Sequence, residues 1–156
     1  MILENTIKNA SVILKNNNIP SHQLDAEIIL SNIMGVSREF LLTKNDLYLN
    51  DEIIKKFNYA IQRRIKNEPV AYIVGQREFW DENFIVNYTT LVPRPETELL
   101  IYKTVNFFKN KSIRILDIGT GSGCIIISIL KERKKCYGVG IDISKNAVKL
   151  AKYNAK

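Results

Sequence analysis

Between Ile113 and Asp142 the chain carries a pattern that few folds can satisfy. An apolar run, Ile113-Arg114-Ile115-Leu116, leads into a loop with glycines at alternate positions, Gly119, Gly121 and Gly123. An apolar helical stretch follows from Cys124 to Leu130, and a second apolar run from Tyr137 to Ile141 ends on the acid Asp142. Strand, loop, helix, strand is the order of a parallel βαβ unit. Glycines in the loop let the backbone turn tightly and come close to a ligand, while free amides at the helix start can face a polar or anionic group. Asp117 and Asp142 lie 25 positions apart, so in a parallel unit both emerge at the carboxyl edge of the sheet, where ligands of open α/β sheets bind.

A glycine triplet alone is a weak signal, since many surface loops hold one with no ligand. Its setting makes it stronger: the loop follows a strand, opens a helix and is paired with an acid at the end of the next strand. The carboxylate of Asp142 suits the two hydroxyls of a ribose. The spacing departs from the GxGxxG of dinucleotide sites, which favours adenosylmethionine over a dinucleotide. The helix after Asp142 starts at Ser144 and presents Ala147, Val148 and Ala151.

Upstream, the first seventy or so residues read as short amphipathic helices. Leu3, Ile7, Ala10 and Leu14 share one face of the first, which the run Asn16-Asn17-Asn18-Ile19-Pro20 ends. Ser21 is the candidate cap of a second helix, with Leu24, Ile28 and Ile29 on its buried side and Gly35 as its stop. A third begins near Ser37, and Asn50 caps a fourth with Ile53, Phe57, Ala60 and Ile61 inward. Four short amphipathic helices need one another for stability, so mutual burial in a small bundle is expected.

Arg77-Glu78-Phe79-Trp80 and Phe84-Ile85-Val86-Asn87 read as two strands around the turn Asp81-Glu82-Asn83, a hairpin joining two domains. Phe79 and Trp80 are expected to pack the domain junction rather than touch a ligand. Pro95, with Glu96 and Glu98 close behind, opens the next helix, whose buried side is expected to comprise Leu99, Leu100, Val105 and Phe108. His22 needs no functional role.

The balance of 46% hydrophobic and 25% charged residues is that of a protein able to bury a core. No apolar run is long enough to span a bilayer and the start is unlike a secretory signal, so a cytoplasmic location is expected, with no membrane partner. Cys124 and Cys136 lack the spacing of a zinc site or a redox pair and read as reduced and structural; no metal is expected. The net charge of +7 raises nucleic-acid binding, but lysine far outnumbers arginine in a chain rich in Asn and Ile, and compositional bias is the favoured explanation.

The segment Asp117-Ile118-Gly119-Thr120-Gly121-Ser122-Gly123 resembles motif I of class I methyltransferases, and Gly140-Ile141-Asp142 the acidic strand end that follows it. Glu68-Pro69-Val70-Ala71-Tyr72-Ile73-Val74-Gly75, Arg77-Glu78-Phe79-Trp80 and Val92-Pro93-Arg94-Pro95-Glu96-Thr97-Glu98 resemble the release factor glutamine methyltransferases, the PrmC or HemK family. The resemblance implies an α/β chain in three parts: a helical substrate-recognition domain over 1–75, a β-hairpin linker over 76–92, and over 93–156 the first part of a Rossmann-like class I methyltransferase domain. It implies methyl transfer from S-adenosylmethionine to the glutamine of the Gly-Gly-Gln loop of peptide chain release factors. Gly119, Thr120, Gly121, Ser122 and Gly123 would then line the methionine end of the cofactor, Asp142 its ribose, and Asp117 would support the loop and the cofactor's amino group.

Arg94, Glu96, Thr97 and Glu98 become candidates for the wall between cofactor and substrate, although each taken singly is equally well explained as part of a capped helix start. The family's Asn-Pro-Pro-Tyr motif, which holds the substrate amide, does not occur in these 156 residues, so no catalytic residue is assigned. With only two strands of the parallel sheet recognisable, an incomplete catalytic domain is expected, with a stable helical part and weak or absent cofactor affinity. A monomer is expected, meeting nucleic acid only indirectly through the termination machinery. Two rivals stay open: an adenine-N6 nucleic-acid methyltransferase of the same fold, and a non-catalytic fragment that docks on release factors.

Overall fold

The computed structural model describes residues 1–44, 46–109 and 111–156, which divide into two units, Met1–Val74 and Gly75–Lys156.

The first unit is built from α1 (Leu3–Asn16), α2 (His22–Met34), α3 (Arg38–Thr43), α4 (Asp51–Ile65) and the short α5 (Val70–Val74). Leu3, Leu14, Ile29, Leu30, Leu41 and Phe57, each at most 1% exposed, form its core. Burying such side chains is worth roughly 1.5–3 kcal/mol each. The expected cap of α4 is present, with Ile53 N–H donating to Asn50 Oδ1 at 2.8 Å, and α3, expected to begin near Ser37, is capped by that residue, Phe40 N–H donating to Ser37 Oγ at 3.2 Å.

At α2 the structure corrects the sequence reading. Leu24 is exposed and Ile28 half-buried, whereas Ala26, Ile29 and Leu30 face the core. Two acids are buried with them. Asp25 Oδ2 accepts from Arg64 Nε at 2.7 Å, and Glu27 Oε2 accepts from Arg38 Nε at 2.9 Å. Ser21 does not cap α2 through its hydroxyl, which donates to Asp25 Oδ2 at 2.8 Å instead. His22 is half-buried, and its Nδ1 shares a 2.7 Å hydrogen bond with Ser11 Oγ.

The second unit opens with the antiparallel hairpin β1 (Gln76–Phe79) and β2 (Glu82–Ile85). Phe79 pairs with Glu82, so the connecting residues are Trp80 and Asp81, not the expected Asp81 to Asn83, and β2 stops at Ile85. Both connecting residues have positive φ, 51° and 58°, as a two-residue hairpin turn twisted to match its strands requires. Phe79 and Phe84 meet edge to face at 6.1 Å inside the hydrophobic cluster of this unit.

A 3₁₀ turn at Pro95–Thr97 leads into α6 (Glu98–Phe107). Here too the buried face differs from expectation: Leu99 and Leu100 are exposed, Val105 and Phe108 half-buried, and Ile101 is the fully buried residue. Then come β3 (Arg114–Ile118), α7 (Cys124–Glu132), β4 (Tyr137–Ile141) and α8 (Lys145–Asn154), with β3 and β4 parallel and Asp117 in register with Gly140.

One face of this two-stranded sheet meets α7. Gly138 and Gly140 sit on it because a Cβ there would come within 2.8 Å of Ile126 Cδ1 and 2.7 Å of Thr120 Oγ1, respectively. The other face carries Tyr137, Leu116, Val139, Ile118 and Ile141, which are 41–76% exposed.

Candidate functional site

The carboxyl ends of β3 and β4 place Asp117, the glycine loop and Asp142 together. The loop is tied to β4 first through the backbone, where Gly119 and Thr120 N–H both donate to Ile141 O at 2.9 Å. Side chains complete the tie. Thr120 Oγ1 donates to Asp117 Oδ2 at 2.8 Å, and Gly121 N–H donates to Asp142 Oδ2 at 2.9 Å. Asp142 Oδ1 accepts the Ser144 N–H at 2.9 Å, and Ser144 in turn caps α8 by accepting from Ala147 N–H.

Asp142 is therefore held by two backbone donors, which pull its carboxyl below the usual carboxylate range, the Ser144 amide most and the Gly121 amide next. At neutral pH it is an anion with acceptor capacity to spare, since each oxygen can take a second hydrogen bond. This is the electrostatic setting for a neutral polyol such as a ribose.

The three loop glycines do different work, although all have positive φ of 56–81°. A Cβ on Gly119 would meet nothing within 4 Å, and one on Gly121 would meet only the loop's own Gly119 O at 4.0 Å, so open space lies beside both. At Gly123 a Cβ would come within 2.7 Å of Ile127 Cδ1 and 3.2 Å of Ala151 Cβ. Gly123 thus serves the packing of α7 against α8. Thr120 and Ser122 are buried, 7% and 2% exposed, and Ser122 O accepts from Asn154 Nδ2 at 2.8 Å.

The segment from Arg94 to Glu98 stands outside this hydrogen-bonded network. Arg94 and Glu96 are exposed at the 3₁₀ turn, Thr97 and Glu98 half-buried, and Glu98 Oε1 accepts the Trp80 N–H at 3.2 Å. Trp80 also donates from Nε1 to Glu132 Oε1 at 2.9 Å. Asn154 and Glu132 were not singled out from the sequence, whereas Ser144 was read as the start of the helix that it caps.

Cys124 is buried, which pushes its thiol up, and Cys136 is half-buried; both are free. Among the described residues no group of three or more His, Cys, Asp or Glu side chains is placed to hold a metal, and no helix is long and apolar enough to cross a membrane.

Comparison with known proteins gives this geometry a context. Residues 5–75 match the family model described as the PrmC N-terminal domain, and residues 109–156 match one described as a methyltransferase domain. The chain is similar to the release factor glutamine methyltransferases along most of its length. Relatives bearing that name include one from Buchnera aphidicola, 38% identical across 100% of this chain and 56% of its own length. Another, from Aliivibrio fischeri, is 41% identical over 87% of this chain and 48% of its own. The Escherichia coli relative is 38% identical over 87% and 49%. The chain spans about half the length of the curated relatives it matches. Within the family's methyltransferase domain, the matched stretch contains the whole network of loop, β4 end and α8.

Proposed function

We propose that the chain contributes the substrate-recognition domain and the cofactor-binding half of a protein-glutamine N5-methyltransferase that acts on the Gly-Gly-Gln motif of peptide chain release factors. The observation that carries the cofactor half is the glycine loop tied to Asp142 at the carboxyl edge of a parallel sheet, with open space beside Gly119 and Gly121. The substrate half rests on the match of residues 5–75 and on the names of the relatives.

The residues fit S-adenosylmethionine. Asp142 would accept from its ribose hydroxyls, Gly119 to Gly123 would line its methionine end, and Asp117, braced by Thr120, would hold the loop and the amino group. When bound, the cofactor supplies a methyl carbon made electrophilic by the adjacent sulfonium. An amide nitrogen is a poor nucleophile, so transfer depends on orienting the glutamine and excluding water, for which Arg94, Glu96, Thr97 and Glu98 are the wall residues proposed. The division of labour is residues 1–75 for recognition, 76–92 as linking hairpin and 93–156 for cofactor binding, in a cytoplasmic monomer that meets nucleic acid only through its substrate's work.

The test is methyl transfer by the full-length protein containing this chain, offered release factor, release factor with the motif glutamine replaced, and DNA or RNA. Transfer to the first alone is the expected result. Label on nucleic acid instead would refute the reading and favour an adenine methyltransferase.

A further inference from the structure

One side chain given no role in the sequence reading links three parts of the second unit. Asn154, in the last turn of α8, donates from Nδ2 to Ser122 O at 2.8 Å and to Ile85 O at 3.0 Å, and its Oδ1 accepts the Ile85 N–H at 2.9 Å. Both backbone groups of one hairpin residue and one carbonyl of the glycine loop thus converge on a single carboxamide. Asn is suited to this because it offers two donors and an acceptor in one rigid plane, which Asp and the aliphatic side chains do not. Asn154 is half-buried, and its partners lie 69 and 32 positions away in sequence.

The bond to Ser122 matters because of what shares its peptide plane. The Ser122 carbonyl and the Gly123 N–H belong to one rigid amide, so holding the oxygen fixes where the N–H points. That N–H donates to Thr120 O at 2.8 Å and closes the loop. Gly123 has φ of 81°, a conformation in which a glycine lets the neighbouring plane rotate at little cost. Rotation would break the Gly123 N–H bond to Thr120 O and the one from Asn154 Nδ2 to Ser122 O together, so the carboxamide of Asn154 adds to the loop's own bond in holding the plane.

We propose that Asn154 is a positioning residue for the cofactor loop, locking the Ser122–Gly123 peptide plane and anchoring that lock on the β-hairpin at Ile85. The inference rests on the loop being a ligand site, yet the lock is a property of the polypeptide and can be measured without ligand.

The experiment is residue-resolved amide exchange by NMR on the 156-residue chain, with adenosylmethionine titrated into the full-length protein containing it in a separate series. In Asn154→Ala, the Gly123 and Ile85 amides are expected to exchange faster by about fivefold for each hydrogen bond lost, while core amides of the helical unit such as Phe57 keep their rates. Asn154→Asp retains the acceptor but loses both donors and sets a carboxylate against two carbonyls, so Gly123 should accelerate at least as much as in Asn154→Ala. Unchanged Gly123 exchange in both variants, with Ile85 alone affected, would reduce Asn154 to a hairpin staple and overturn the proposal. If Gly123 responds while the full-length protein containing this chain shows no adenosylmethionine binding, the lock stands and the ligand reading of the loop is what fails.

Discussion

Gly140→Ala tests whether the loop is braced from beneath by the strand. A Cβ at position 140 would stand 2.7 Å from Thr120 Oγ1, 3.0 Å from its Cβ and 3.2 Å from its Cγ2, all closer than ordinary contact. Thr120 has little room to yield, being 7% exposed and tied through its N–H to Ile141 O and through its hydroxyl to Asp117. Overpacking of this kind costs about 1–3 kcal/mol. Loosening the hydroxyl from a carboxylate adds about 1 kcal/mol, for an expected total of about 2–4 kcal/mol. The only tryptophan, Trp80, lies in the second unit, so its fluorescence in urea follows that unit without interference from the helical one. Thr120→Ala removes two of the three clashing atoms, so the cost of Gly140→Ala in that background should fall by at least about 1 kcal/mol. Costs that add within about 0.5 kcal/mol would refute the brace.

Two further outcomes follow from named contacts. Arg64→Ala would leave Asp25 buried with only the Ser21 hydroxyl beside it, at a cost of about 3 kcal/mol to the helical unit, read as the loss of helical circular dichroism in urea; an unchanged midpoint would mean that Asp25 escapes to water. Asp142 has a depressed carboxyl, so its contribution to stability is present above the unfolded value of about 3.9 and is lost as pH falls through the lower folded value. A titration of its carboxyl carbon by NMR should place the midpoint below 3.9, and one at or above that value would contradict the two amide contacts.

What was legible in the sequence divides along physical lines. The loop, its strands and Asp142 could be read because each position admits few residue types: positive φ calls for glycine, and a strand end that receives two backbone amides calls for an acid. The helix cap Asn50 was legible for the same reason, as was the start of α3 near Ser37. The buried faces of α2 and α6 were not. In α2 apolar residues occur on more than one side, and the choice is made by Arg38 and Arg64, which draw Asp25 and Glu27 inward. In α6 Leu99, Leu100 and Ile101 are consecutive, and only packing against α7 selects Ile101. The Trp80-Asp81 turn was missed because, although Asp81 is a residue type that tolerates a left-handed backbone, tryptophan adopts one only under the pull of its surroundings. Here these include hydrogen bonds to Glu98 and Glu132.

The two faces of the β3–β4 sheet separate what shapes the loop from what stabilises the sheet. Parallel strands with near-continuous apolar composition belong to sheets covered on both sides. In this structure α7 covers one face, while Tyr137, Leu116, Val139, Ile118 and Ile141 stand open on the other. Yet none of the contacts that set the loop uses the open face. Asp142 is held from the loop and the α8 start, Thr120 from Asp117 and Ile141, and Ser122 from Asn154. The shape of the glycine loop is therefore written into residues 85–154, whereas the free energy that keeps its sheet together depends on how the open face is covered. Perturbing Asn154 or Gly140 should consequently alter the loop's geometry, and perturbing Leu116 or Val139 only the stability beneath it.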